Sequence, residues 1–549
     1  MLKEHFLQEI EKKFKEYWYY PLFSDYKQGI ENTLTYREVA ETILKFHRFF
    51  HQIGIKKTDK ITIIGRNSVN WGTIFLSVST YCTAVPVLPD FKEEDIENIL
   101  NHSDAKILFI AEEIYETIEV NSKKIEIIIS LNDIKKVLYS KKEKAKEYYI
   151  KEINERITIE KEDFTIKKDI NKDDIMLIMY TSGTTGHTKG VMLTYNNIWA
   201  NIKFGIDNID LRPGDKVLSF LPVAHTYALS FDMLTELFKG VHIVFLPVIP
   251  SPSILLKALK EIKPRLINTV PLLIEKIYKK IILKKINKMP IKYLLRTPLS
   301  KVILSKIREK LVEAFGSNFI QIIIGAAPLK TEIDNFLKKI NLPYTAGYGM
   351  TECGPLISYI DYKNYKVGSV GKKINYLDLK IDSSDPYNEP GEILVKGENV
   401  MVGYYKNKEE TEKTLKDGWL HTGDVGVIDK DGYLYIKGRI KSLILGPSGK
   451  NIYPEAIESK LNNMDFILES LVLEREGKLV ALIYPDYEAV GSLNINESEV
   501  DNFLIKIMEK NRVLVNKQLP SYSQISKIEI VKEPFEKTPT KKIKRFLYK

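Results

Sequence analysis

Cysteine is scarce. The chain of 549 residues has two, Cys82 and Cys353, far apart. Two thiols cannot build a disulfide framework or a four-ligand zinc site, and they suit a reducing compartment such as the cytoplasm. Long apolar runs are missing too: no uninterrupted stretch approaches the roughly 18 residues that a membrane-spanning helix needs. The run Met1-Leu2-Lys3-Glu4-His5 opens into mixed charges rather than the apolar core of a secretory leader. There is no internal repeat and no low-complexity tract. What is present is an ordinary globular composition, with 44% hydrophobic and 28% charged residues, which excludes a disordered or collagen-like chain. The length suggests about three to four folding units.

Charge is present but localised. The net charge is +10, and residues 279–310 hold eleven lysines and arginines against one acid, Glu309. The rest of the chain is therefore near neutral. No nucleic-acid recognition motif accompanies the basic stretch, so nucleic acid is not an expected partner. Ile281, Ile282, Leu283, Ile286, Leu294 and Leu295 are interleaved with its lysines. That pattern suits either a solvated helix pair or a basic amphipathic segment lying on an anionic membrane.

Strand-like and helix-like segments alternate through most of the chain. Thr35-Tyr36-Arg37-Glu38 has the form of a capping box. Val39, Ile43, Phe46 and Phe50 then follow helical spacing up to a stop at Gly54. Short apolar runs at 61–64, 84–87, 107–110, 175–180, 217–221, 241–246, 266–270 and 319–324 read as buried strands joined by crossover helices. Such runs indicate doubly wound parallel sheets covered on both faces. After about residue 365 the texture changes. Residues 425–429 and 433–437 flank Lys430-Asp431-Gly432 as a hairpin in a small antiparallel region. A last segment of about 110 residues begins near Gly438-Arg439-Ile440-Lys441. The expected division is 1–438 and 439–549.

The most informative loop is Thr181-Ser182-Gly183-Thr184-Thr185-Gly186-His187-Thr188-Lys189-Gly190, directly after the apolar strand 175–180. Glycines let backbone N–H groups approach an anion, hydroxyls add donors, and Lys189 adds a point charge. A plain flexible turn would not need this combination. The Walker A spacing is absent, because Thr188 precedes Lys189 and Gly190 follows it.

Further motifs follow in order: Leu221-Pro222-Val223-Ala224-His225, Gly325-Ala326-Ala327-Pro328, Gly347-Tyr348-Gly349-Met350-Thr351-Glu352, Asp417 to Asp424, Gly438 to Lys441, and Thr538 to Arg545. Together with the loop they resemble the adenylate-forming superfamily along nearly the whole chain. That superfamily includes acyl-CoA synthetases, peptide-synthetase adenylation domains and luciferases, and the segments 417–424 and 445–455 are most similar to the fatty-acid branch. The resemblance implies an α/β protein: a large N-terminal part of two doubly wound sheets plus a small antiparallel region, with a mobile α+β cap. Two positions depart from the usual pattern. Thr188 stands where proline is usual, and Lys541 stands where glycine precedes the terminal lysine.

The implied chemistry joins a carboxylate to ATP at the α-phosphorus, releases pyrophosphate, and passes the acyl group to coenzyme A. An acyl carrier protein is the alternative acceptor, and a nucleotide-binding protein without catalysis is the alternative from another class. By resemblance, Thr181, Ser182, Gly183, Thr184, Thr185, Gly186 and Lys189 hold the β- and γ-phosphates, and Glu352 holds Mg²⁺. Thr351 donates to the α-phosphate. Gly325, Ala326, Ala327, Tyr348 and Gly349 line the adenine side. Asp424 accepts from the ribose, assisted by Arg439. His225 borders the acyl pocket, to which Val270, Pro271 and Leu272 contribute apolar surface. Lys441 is the hinge, and Gly449 faces the thiol. Lys542 bridges carboxylate and α-phosphate, with Lys541 left open for the same role. Taken alone, Lys542 belongs to a basic tail, Glu352 is a surface acid and Asp424 a turn cap. Cys353 reads as a packed thiol. No carboxylate suited to binding a substrate ammonium is legible near the pocket, which favours a medium- or long-chain fatty acid.

Overall fold

The computed structural model describes residues 4–166, 169–182, 188–278, 297, 299–446, 450–491, 493, 495–538 and 542–548. Gly183, Thr184, Thr185, Gly186, Gly449 and Lys541 lie outside the described residues, as does most of the basic stretch, 279–296.

Two large sheets form the body. The first has eight strands in the order Gly403–Tyr404, Thr188–Thr194, Ile175–Ser182, Thr83–Val87, Lys60–Ile64, Ala105–Ile110, Ile127–Ser130, Val137–Ser140. Its middle is parallel and its outer pairs are antiparallel. Ile61, Ile63 and Ile64 are fully buried. Continuous β-branched runs of this kind suit strands covered on both faces. The second sheet has seven strands: Tyr344–Ala346, Gln321–Ile324, Leu266–Thr269, Lys216–Ser219, His242–Phe245, Pro21–Tyr26, Ile30–Thr35. All its pairs are parallel except the last.

Lys216–Ser219 lies between His242–Phe245 and Leu266–Thr269, so the chain turns to one side of it and then crosses to the other. Such a switch point opens a crevice at the carboxyl ends of the strands.

The antiparallel region is a five-stranded sheet containing Leu377–Asp382, Gly391–Gly397, Leu415–Lys416, Trp419–Ile428 and Leu434–Arg439. The expected hairpin is there, with Gly432 in a left-handed conformation at its turn. Past residue 450, Ile467–Arg475, Lys478–Pro485 and Ile525–Ile530 form a separate small sheet. Its apolar residues make two clusters of their own, drawn from residues 444–548, whereas the main cluster runs from Phe6 to Leu434.

Among the described residues no helix is long and apolar enough to cross a membrane. The described part of the basic stretch includes the helix Ser300–Ala314, in which only Leu311 is buried.

The capping box closes as its spacing predicts. Thr35 accepts from the Glu38 N–H, Glu38 accepts from the Thr35 N–H, and the helix Tyr36–Gln52 ends before a left-handed Gly54. Thr35→Ala is expected to cost about 1 kcal/mol locally, which is roughly fivefold faster hydrogen exchange of the Glu38 amide. Amide exchange read by NMR or mass spectrometry checks it, with unchanged protection as the contrary result.

Candidate active site

Parallel strands gather loops that are distant in sequence. The segment 220–225 follows Lys216–Ser219, Val270 follows Leu266–Thr269, 325–328 follows Gln321–Ile324, and 347–352 follows Tyr344–Ala346. All four leave the same edge of one sheet. The Gly325 N–H donates to Thr269 O at 3.0 Å, and the Gly347 N–H donates to Ile324 O at 3.0 Å. Gly325 lies against the ring of Tyr227, 3.0 Å from where its Cβ would be. Ala326 has a φ of +70°, a left-handed conformation uncommon outside glycine. Ala326 and Ala327 are exposed at the rim. Gly349 is a steric requirement, since a Cβ there would sit 2.1 Å from Pro355 O.

Asp424 and Arg439 face each other across the hairpin. Arg439 Nε is 2.8 Å from Asp424 Oδ1, and the Tyr348 hydroxyl donates to Asp424 Oδ2 at 2.7 Å. Asp424 is 4% exposed, so both partners matter: a buried carboxylate is costly to leave without hydrogen-bond partners. Burial, and then the Asp424 charge, push the Tyr348 hydroxyl well above its ordinary range. It therefore stays a neutral donor.

Glu352 follows Thr351 in a short turn, with Thr351 buried. Its Oε1 accepts from the Tyr404 hydroxyl at 2.8 Å, and its carbonyl accepts from the Met401 N–H. Tyr404 lies on the edge strand beside Thr188–Thr194. Lys189 stands over the Tyr404 ring, 5.2 Å from its centre, and is ion-paired with Glu410. One tyrosine thus joins the carboxylate loop to the lysine strand. Thr181 and Lys189 pair in the ladder, as do Ser182 and Thr188. Thr188 supplies an N–H that proline would lack.

The last segment returns over this edge. Lys542 keeps solvent contact, because it stands in a cleft rather than in a packed core. Its ammonium is nevertheless desolvated there. That desolvation, with the nearby Arg439 charge, lowers it to about 8, while Asp424 and Glu352 act in the opposite direction. Lys542 also faces His225, whose imidazole is lowered to about 4, first by burial and then by the Lys542 charge. His225 caps the short helix Thr226–Ala228, its Nδ1 accepting from the Tyr227 N–H at 3.2 Å. The remaining proton therefore sits on Nε2. Lys441 lies in the turn Ile440–Ser442, immediately after the strand that carries Arg439. Val270 and Pro271 begin the helix Pro271–Ile277 at the crevice, but Leu272 is 46% exposed and adds little to a pocket wall.

Sequence reasoning missed two acids. Asp232 and Glu236 are buried one helical turn apart, Asp232 in the π-helical stretch Leu229–Leu234. Asn268 donates to Asp232 Oδ1 at 2.8 Å. Burial raises Asp232 to about 8 and Glu236 well above the carboxylate range. Carboxyl groups therefore do stand behind the site, in protonated form. The available signal was two acids inside the apolar run 228–238. Cys353 is buried and free, and burial pushes its thiol up, so it is a packed residue. Among the described residues no group of three or more His, Cys, Asp or Glu could cage a metal ion.

A family model described as AMP-binding enzyme matches residues 15–405. Long chain acyl-CoA synthetase 3 of Arabidopsis thaliana is 27% identical over 595 residues, covering 95% of this chain and 86% of its own. The 2-succinylbenzoate–CoA ligase of Bacillus cereus is 27% identical over 488 residues, covering 88% and 89%. Among solved structures, o-succinylbenzoate CoA synthetase of Bacillus subtilis, in complex with its acyl-adenylate intermediate, superposes with a TM-score of 0.74 at 21% identity. It covers 100% of this chain and 99% of its own. That last likeness is one of fold. With the family model matched along most of its length and the motif loops gathered at one sheet edge, the chain belongs to the AMP-binding enzyme family.

Proposed function

We propose that this enzyme activates a carboxylic acid with ATP and passes the acyl group to coenzyme A. The observation that carries this reading is the convergence of Lys542, Arg439, Asp424 and Glu352 at the carboxyl ends of the parallel strands. Relatives named as acyl-CoA synthetase and CoA ligase support it. In the first step a carboxylate oxygen attacks the α-phosphorus and pyrophosphate leaves. Both reactants are anions, so the protein's task is to hold them in line and offset their repulsion.

Lys542 is the group that meets both. A cation about 4 Å from a developing oxyanion is worth about 4 kcal/mol at an effective dielectric near 20. Asp424 accepts from the ribose hydroxyls while Arg439 and Tyr348 orient its carboxylate. Thr351 donates to the α-phosphate, and Thr181, Ser182 and Lys189 flank the pyrophosphate. The donor set fits magnesium: one carboxylate, Glu352, held by Tyr404, suits an ion bound mainly by phosphate and water oxygens. Bound there, Mg²⁺ neutralises phosphate charge. In the second step the thiol sulfur attacks the acyl carbonyl, its proton is released, and AMP leaves. Swinging residues 439–549 about Lys441 removes Lys542 and admits the thiol.

Within this reading we take a medium- or long-chain fatty acid as the substrate, supported by the apolar Val270 and Pro271 and by the long-chain relative. An aromatic acid is the competing choice, favoured by the succinylbenzoate ligases.

Pyrophosphate release from a panel of fatty and aromatic acids, with and without coenzyme A, separates these outcomes. Faster release from an aryl acid removes the fatty-acid assignment, and release indifferent to coenzyme A points to a carrier-protein acceptor. No release with any acid defeats the proposal. Lys542→Ala is expected to lower ATP–pyrophosphate exchange by roughly 10²-fold or more. Because its amine is lowered to about 8, Lys542 is cationic below that pH and loses its charge above it. The kcat/KM for ATP in adenylation is thus expected to fall as pH rises through 8 to 9, well below an ordinary lysine near 10.4. That limb should vanish in Lys542→Ala. Lys441→Pro is expected to cut thioester formation far more than adenylation; equal losses count against the hinge.

A further inference from the structure

We propose that the Glu458–Arg545 ion pair is the positioning device for Lys542. It pins the terminal turn to the helix Pro454–Leu461 and so holds the ammonium in the cleft while the adenylate forms. The inference rests on the function proposed above and adds two residues that no part of that reading uses.

The geometry is specific. Arg545 Nη1 donates to both carboxylate oxygens of Glu458, at 2.7 and 2.9 Å, and Nη2 donates to Val472 O at 2.8 Å. Glu458 Oε1 also accepts from the Val472 N–H at 2.6 Å. The guanidinium thus spans a helix and the strand Ile467–Arg475 at once. Glu458 is 9% exposed. A buried carboxylate in such a place is costly to leave unpaired, so the pair resists opening. With Nη1 on the carboxylate and Nη2 on a carbonyl, the planar guanidinium also fixes direction, which a single ammonium does not.

Described residues on both sides of Lys542 are tied by hydrogen bonds. The Thr538 N–H donates to Lys542 O at 2.8 Å, and the Lys542 N–H donates to Thr538 Oγ1 at 3.2 Å. The Lys544 N–H donates to Glu536 O at 2.8 Å, and the Glu536 N–H donates to the Tyr548 hydroxyl at 2.7 Å. Only Ile543 and Lys544 lie between Lys542 and Arg545, three backbone steps with a reach of at most about 11 Å. The hydrogen bonds on Lys542 and Lys544 leave less slack than that. The far end of the lever also meets the site. Glu455, on the same helix as Glu458, approaches Gly438 on the strand that carries Arg439, its Oε2 lying 3.0 Å from where a Gly438 Cβ would be. One helix therefore touches the strand of the ribose-side pair and the tail that delivers the lysine.

Glu458→Gln and Arg545→Lys test this in the full-length enzyme. Should either single variant fold poorly, the paired Glu458→Leu/Arg545→Met replacement removes the pin without stranding a charge. Two readouts distinguish positioning from general damage. ATP–pyrophosphate exchange should fall roughly 10- to 100-fold, while thioester formation from supplied acyl-adenylate and coenzyme A stays within about threefold. Separately, the pH midpoint for acylation of the Lys542 amine, read by peptide mass spectrometry, should rise from about 8 toward an ordinary lysine near 10.4. Arg545→Lys should fall between wild type and Glu458→Gln. Equal loss of both half-reactions, unchanged exchange, or an unmoved midpoint each overturns the proposal. If the wild type makes no adenylate from any acid, the proposed function fails on that evidence, and the labelling midpoints still decide the pin.

Discussion

Charge compensation around a single ammonium group organises the cleft. Lys542 is desolvated beside Arg439, and Asp424 and Glu352 offset the resulting repulsion. Neither carboxylate stands alone. Asp424 is held by Arg439 and Tyr348, and Glu352 by Tyr404. In a medium of reduced dielectric, such mutual support holds each group in a fixed direction. An anion entering between them would meet groups already oriented, so little reorganisation would be needed when charge shifts.

The sheet topology is what allows those groups to meet. Four loops scattered between residues 220 and 352 leave the carboxyl ends of neighbouring parallel strands. Crossover helices carry the chain back each time, so every strand delivers its loop to the same edge. The antiparallel sheet and the small C-terminal sheet then bring Asp424, Arg439 and Lys542 over that edge. Tyr404 closes the opposite side by packing against Lys189 and bonding to Glu352.

The core behind the site is less conventional. Asp232 and Glu236 are neutral acids within an apolar layer, and Asp232 sits in a stretch of π-helix. Their side chains have no periodic signature, because an acid buried by tertiary packing looks in sequence like any polar interruption of an apolar helix. The buried strands were readable for the opposite reason. At 61–64, 107–110 and 321–324, short runs rich in β-branched and other apolar residues suit buried strands. The capping box at Thr35 and the hairpin turn at Gly432 were readable because their partners are a few residues away.

By itself the sequence determined the local chemistry: the alternation that makes doubly wound sheets, the Thr/Gly loop, and an aspartate and an arginine on adjoining arms of one hairpin. Only the tertiary structure decided which residues face each other. Counting back from the turn pairs Asp424 with Gly438. An irregularity in register between Val425 and Gly426 shifts the ladder by one, and Arg439 becomes the partner instead. Side chains alternate faces along a strand, so that single step separates a paired, buried carboxylate from an unpaired one. The terminal lysine is the same case at longer range. Neighbouring lysines in a basic tail are equivalent by composition. Lys542 lies near Arg439, Asp424, Glu352 and His225, a relation between segments far apart in sequence that composition does not encode.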